Sequence, residues 1–126
     1  MAVVQARFEH VPANDSRRAE GIRLFNQGRY FESHEVWESL WRDVSAVERE
    51  MLQGLIQVAA AYYHVSRGNL AGATFLLTRA REHLRPWQPV HAGVPVGDIM
   101  QRIAHDLLQL QRGVTPTASV IRVVDA

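Results

Sequence analysis

Apolar residues recur at helical spacing along most of this chain, and the breaks between these stretches separate five segments. Asp15 and Ser16 favour a helix start, whereas Gly28 and Gly68 favour left-handed helix ends and Pro86 stops a helix. The pattern predicts an all-α protein, a compact bundle of about five helices built from two antiparallel helical hairpins plus a C-terminal helix. The predicted helices cover residues 16–27, 30–42, 48–67, 70–84 and 98–112, the last capped by Asp98.

The segments outside these helices have different patterns. Residues 87–97 are rich in turn residues and predict an ordered loop, whereas the β-branched stretches at 3–8 and 119–124 predict short strands or extended arms. A chain of 126 residues is long enough for one domain with its own core and too short for two. We therefore expect a single helical domain over residues 1–126.

One face of the second predicted helix combines aromatic and ionisable side chains. At about 100° per residue, six of them fall within about a third of the helix circumference. These are Tyr30, Phe31, His34, Trp37, Glu38 and Trp41. Because a buried carboxylate is costly unless it is paired, His34 and Glu38 are expected to meet polar partners from elsewhere in the chain.

The third predicted helix offers such partners. It is apolar on most sides, but one narrow line within about 40° of the helix wheel is polar. This line consists of Gln53, Gln57, Ala60 and His64. The simplest packing places it opposite the face that carries His34 and Glu38.

Three interpretations of this polar cluster remain open. The first is a buried hydrogen-bond network that fixes the register of the helices. The second is a metal site in which His34, Glu38 and His64 hold Zn²⁺, Mn²⁺ or Fe²⁺, with Glu35 as the catalytic base. The third is a metal-free polar pocket for a small molecule. In the second or third case, Gln53 and Gln57 would contact the bound group.

Two other sets of residues give specific expectations. Gly54 lies inside a helix, where glycine costs about 1 kcal/mol relative to alanine, so we expect the indole of Trp37 or Trp41 to approach it closely. His10, His91 and His105 have no partner at metal-ligand spacing, so we expect them at the surface or in loops.

Two blocks of sequence resemble the motifs of a known family. The first is Phe31-Glu32-Ser33-His34-Glu35-Val36-Trp37-Glu38-Ser39-Leu40-Trp41, which resembles F-E-x-H-E-x-W-E-x-x-W. The second is Gln53-Gly54-Leu55-Ile56-Gln57, followed by Ala59, His64, Arg67-Gly68-Asn69 and Gly72-Ala73. Together they resemble the domain of unknown function 309 family, small all-helical proteins, over about residues 19–84. The family is labelled as predicted metal-dependent hydrolases. The resemblance therefore implies a helical fold and that activity, with His34, Glu35, Glu38 and His64 as the motif residues.

Composition and charge narrow the classes of partner. The absence of cysteine excludes disulfides, cysteine zinc sites and thiol nucleophiles. All 14 basic residues are arginine, and a net charge of +1 gives no case for nucleic acid. The longest apolar stretch, residues 55–65, is too short to span a membrane, and residues 1–14 lack a secretory signal. We expect a cytoplasmic protein with no membrane or nucleic-acid partner, a small-molecule ligand and, from its apolar surface, a homodimer.

Overall fold

The computed structural model describes residues 11–117 and 120–122 and shows five α-helices. Their bounds are α1 Ser16–Asn26, α2 Tyr30–Asp43, α3 Ala46–Ser66, α4 Leu70–Leu84 and α5 Val96–Gln111. A single 3₁₀ turn, Arg85–Trp87, follows α4, and the described residues contain no strand. The predicted all-α bundle is therefore confirmed. None of the helices in these ranges combines the length and the apolar character needed to cross a membrane.

The third helix is the centre of the bundle. It packs against α2 on one side and α4 on the other, while α1 packs on α2 and α5 on α4. Connections of two or three residues make the successive helices from α1 to α4 antiparallel. The core contains fully buried side chains from all five helices, among them Ile22, Trp37, Leu40, Met51, Leu52, Leu55, Leu77, Leu84 and Ile103.

Local signals in the sequence position the ends of most helices. Asp15 caps α1 by accepting a hydrogen bond from the backbone N–H of Arg17 at 3.0 Å, and Asn69 caps α4 in the same way through Gly72 at 2.9 Å. Gly28 and Gly68 follow α1 and α3 with φ of 76°, a conformation that glycine adopts without steric cost.

Two helices begin two residues earlier than predicted. The third helix begins at Ala46 and not at residue 48, because Ser45 accepts a hydrogen bond from the N–H of Glu48 and so caps the helix earlier. The last helix begins at Val96 after Pro95, without a side-chain cap. Asp98 therefore lies in the first turn of the helix, where its negative charge interacts favourably with the helix dipole.

Glycine permits close packing at a different place from the one expected. A Cβ on Gly21 would lie 2.0 Å from Nε1 of Trp37, so the fully buried indole occupies the space that Gly21 leaves open between α1 and α2. Gly54 instead faces Leu84 of α4, whose Cγ would lie 2.7 Å from a Cβ at this position. The prediction of an indole over Gly54 is wrong, because that face of α3 packs against α4 and not against α2.

A cluster of charges links the loop after α4 to α1 and α3. Arg18 is 3% exposed, and its guanidinium donates hydrogen bonds to both carboxylate oxygens of Glu48 at 2.7–2.9 Å. Nε2 of His91 lies 3.1 Å from Oε2 of Glu48. His91 lies in the loop between α4 and α5, as expected, and its contact with Glu48, which is 43 residues away along the chain, could not be read from the local spacing.

A second cluster attaches α5 to α3. The hydroxyl of Tyr62 donates a short hydrogen bond to Asp106 and accepts one of 3.3 Å from Nε of Arg102. Burial, and then the hydrogen bond to Asp106, raise the pKa of Tyr62 well above its usual range. Nδ1 of His105 lies 3.1 Å from Oδ1 of Asp106, so this histidine also has a partner. His10 lies outside the described residues.

The C-terminal segment returns to the start of the bundle. The side-chain amide of Asn26 donates to the carbonyl of Ile121 at 2.7 Å and accepts from its N–H at 2.8 Å. Ile121 is buried against the core, but the described residues 120–122 form no strand. The predicted strands at residues 3–8, 119 and 123–124 lie outside the described residues.

Candidate functional site

A cavity of about 480 Å³ lies where α2 faces α3, and we call it the polar cavity. Its lining residues are His34, Glu38, Trp41 and Arg42 of α2, Gln53, Ile56, Gln57 and Ala60 of α3, and Leu76 of α4. The two polar faces recognised in the sequence therefore meet here, as the helical periodicity predicts, although His64 does not line this cavity.

The His34–Glu38 pair lies at the rim of the bundle. Nδ1 of His34 is 3.4 Å from Oε1 of Glu38, a contact that lacks hydrogen-bond geometry. The side chain of Glu38 is 44% exposed and that of His34 is 28% exposed. The expectation that Glu38 is a buried carboxylate is wrong, because Trp37 and Leu40 occupy the core-facing side of α2.

Two polar atoms of the site are buried without a hydrogen-bond partner among the described residues. They are Nδ1 of His34 and Oε1 of Gln57, and both side chains line the polar cavity. An unpaired buried polar group costs about 1–3 kcal/mol. The first interpretation, a satisfied hydrogen-bond network, would pair these two atoms, and the described residues do not supply those hydrogen bonds.

A smaller cavity of about 180 Å³ adjoins the polar cavity. We call it the aromatic cavity, because it is lined by Tyr30, Phe31, His34, Ala60, Tyr63 and His64. His34 and Ala60 line both cavities and so form the boundary between them. His64, which lines the aromatic cavity, has a polar neighbour, because its Nδ1 lies 3.2 Å from the side-chain nitrogen of Asn69.

The residues predicted to bind a metal do not converge. No group of three His, Cys, Asp or Glu side chains within residues 11–117 and 120–122 is placed to hold an ion. Because α2 and α3 are antiparallel, the step from His34 to Glu38 leads away from His64. His64 also lies seven residues beyond Gln57, about 10 Å along the helix axis. His64 therefore reaches the aromatic cavity, Glu38 reaches the polar cavity, and the donors do not fit a shared Zn²⁺, Mn²⁺ or Fe²⁺.

Glu35, the predicted catalytic base, is exposed and lines neither cavity. Residue 35 follows His34 by about 100° around α2, which turns its side chain away from α3. Its role as a base stays a prediction that this placement does not support.

Among the residues that line the two cavities, Arg42, Ile56, Tyr63 and Leu76 were not predicted for the site, and Arg42 and Tyr63 are the two that carry polar groups. Arg42 lines the polar cavity, and its position four residues after Glu38 on the same helix face could have identified it. Tyr63 lines the aromatic cavity, although the sequence pattern groups it with the apolar residues of α3. The next residue, His64, was predicted for the site from the sequence. The cavity beside Tyr63, however, follows only from the packing of the helices.

Residues 19–76 match the model of a family described as Domain of unknown function (DUF309). The resemblance recognised from the two motif blocks is confirmed over this range. Every residue that lines the polar or the aromatic cavity lies within the match. The comparison with curated proteins gave no match.

Proposed function

We propose that this chain, whose residues 19–76 match the model of the DUF309 family, binds a small polar molecule in the polar cavity. The single observation that carries the proposal is the pair of unpartnered buried atoms, Nδ1 of His34 and Oε1 of Gln57, in side chains that line the same space. A ligand with hydrogen-bonding groups would compensate both atoms after a small rotation of each side chain.

The size and the chemistry of the cavity support this proposal. A volume of about 480 Å³ falls in the usual range for small-molecule pockets. Glu38 and Arg42 contribute charges of opposite sign, while Gln53 and Gln57 each carry a donor and an acceptor. This lining favours a neutral or zwitterionic ligand with both donors and acceptors, such as an amide, over a strongly charged one.

The geometry favours binding over the metal-dependent hydrolysis that the family label implies. The predicted ligands His34, Glu38 and His64 are divided between two cavities, and Glu35 is exposed outside both. A hydrolase of this design would need these groups to act on one water molecule. The polar cavity needs no such convergence to hold a ligand.

A screen of polar metabolites by ligand-observed NMR tests this proposal. We expect saturable binders whose affinity falls at least about tenfold in Gln57→Leu, because that change removes one polar contact of the bound ligand. Gln101→Leu is the matched control, since Gln101 is exposed on α5 and lines neither cavity. Binders that Gln57→Leu and Gln101→Leu affect equally, or a screen without binders, would count against the polar cavity as the site.

A further inference from the structure

The aromatic cavity adjoins the proposed ligand site and restricts the ligand further. Tyr30, Phe31 and Tyr63 supply three aromatic rings to its lining, and no carboxylate is among its lining residues. We infer that the ligand of the polar cavity also carries an uncharged aromatic ring, which occupies the aromatic cavity. This inference rests on the proposed function and extends it to a ligand class, an aromatic ring joined directly to a polar group such as an amide.

The volume of the aromatic cavity fits one ring. Apolar cavities of about 150 Å³ accommodate benzene, and this one measures about 180 Å³. Phe31 is 57% exposed, so a bound ring would remove part of a large apolar side chain from water. Exposure of the Phe31 ring to water is unfavourable, and a ligand ring that packs against it would reduce this cost.

A cation would fit this cavity poorly, although aromatic lining often binds cations. The guanidinium of Arg67 already lies over the ring of Tyr63, 5.2 Å from its centroid. The ring of Tyr30 is also already in contact with another group, because it meets the ring of Phe25 edge to face with centroids 5.0 Å apart. A bound ammonium group would therefore face the positive charge of Arg67 without a carboxylate to offset it.

The shared residues make one ligand in both cavities the simplest occupant. His34 and Ala60 line both spaces, so a ring in the aromatic cavity and a polar group in the polar cavity would both lie beside these two residues. Alanine at position 60 leaves room at this boundary, because its side chain is a single methyl group. A compact ligand that carries both a ring and a polar group would therefore contact His34 and Ala60 at the same time.

Three probes separate the contributions of the two cavities. Benzamide carries the ring and the amide, acetamide carries the amide alone, and tetramethylammonium is a cation of similar size to a ring. Two-dimensional NMR titration of the whole chain gives their dissociation constants. We expect millimolar binding of benzamide, about tenfold weaker binding of acetamide, and no competition by tetramethylammonium.

Paired variants localise the effect of the ring. Phe31→Ala should weaken benzamide about tenfold and leave acetamide unchanged. Phe75→Ala is the matched control, because Phe75 is 62% exposed on α4 and lines neither cavity. Since Phe31 is also exposed, neither substitution should disturb the fold, and circular dichroism checks this.

The possible outcomes distinguish this inference from the proposed function. Equal affinities for benzamide and acetamide, both reduced by Gln57→Leu, would overturn the ring inference and leave the polar cavity as a ligand site. Binding of tetramethylammonium that depends on Phe31 would overturn it in favour of a cation site. Benzamide binding that depends on Phe31 but not on Gln57 would contradict the proposed function, and no binding of benzamide would overturn the inference.

Discussion

At the scale of single residues, the site is defined by side chains whose hydrogen-bonding capacity is unmet. His34 and Gln57 each bury one polar atom without a hydrogen-bond partner in the described part of the chain, as Arg81 of α4 does at Nε, whereas other buried polar side chains are paired. Arg18, Ser33 and Asp106, for example, are buried and hydrogen-bonded. What sets His34 and Gln57 apart is that their unpaired atoms belong to side chains that line the same cavity, which supports the proposal that another molecule completes this surface.

Replacement of Gln57 by leucine tests directly whether its buried polar atom is unpaired in the absence of ligand. Because Oε1 of Gln57 is buried and unpaired, Gln57→Leu should leave the free energy of unfolding unchanged or raise it by about 1 kcal/mol in the absence of ligand. Urea denaturation of the wild type and the variant gives the difference. Gln101→Leu, on the exposed face of α5, controls for the general effect of leucine. If Gln57→Leu instead lowered the stability by about 1–3 kcal/mol, the residue would belong to a structural network.

At the scale of elements, polar contacts between distant segments hold the helices and the loop around the site in place. Glu48, in the first turn of α3, meets Arg18 of α1 and His91 of the loop after α4. Arg17 of α1 similarly reaches α2, where it donates to the carbonyl of Ser39 at 3.1 Å and pairs with Asp43 at 2.8 Å. These contacts fix how α1 and α3 are placed relative to α2.

Removal of the Glu48 carboxylate, which contacts both Arg18 and His91, should strongly lower the stability of the fold. Arg18 has a side chain only 4% exposed, so Glu48→Ala leaves a buried guanidinium without its counter-charge. Such changes cost about 3–5 kcal/mol, and we expect a loss of that size in urea or thermal unfolding. Glu20→Ala breaks the exposed Glu20–Arg23 pair and should change the stability little. Similar losses in both variants would show that the buried cluster has no special role.

The helices themselves could be predicted from the sequence to within a few residues, because their signals are local. The stops at Gly28 and Gly68 act through the conformation of one residue, and the apolar periodicity acts through a few turns. The start of α5 was missed because Asp98 is a good capping residue in isolation, whereas the chain enters the helix at Pro95. Likewise, the partner of Gly54 depends on which helix packs against each side of α3, and periodicity does not specify this.

At the scale of the whole molecule, the helical wheels predicted which faces meet but not how they align along the helix axes. The wheel places His34, Glu38 and His64 toward a common interface, and the structure confirms that they line cavities there. The antiparallel packing then separates Glu38 from His64. The sequence therefore identified the cluster of polar residues, but its division into a polar and an aromatic cavity follows only from the three-dimensional packing.

The central claim is that the polar cavity holds a small organic molecule, and native mass spectrometry of untagged protein purified under mild conditions tests it most directly. We expect a mass above that of the bare chain, which falls to the bare mass on denaturation and in Gln57→Leu but persists in Gln101→Leu. An added mass equal to one divalent metal ion, lost in His34→Ala and unaffected by Gln57→Leu, would contradict the account and restore the predicted metal site.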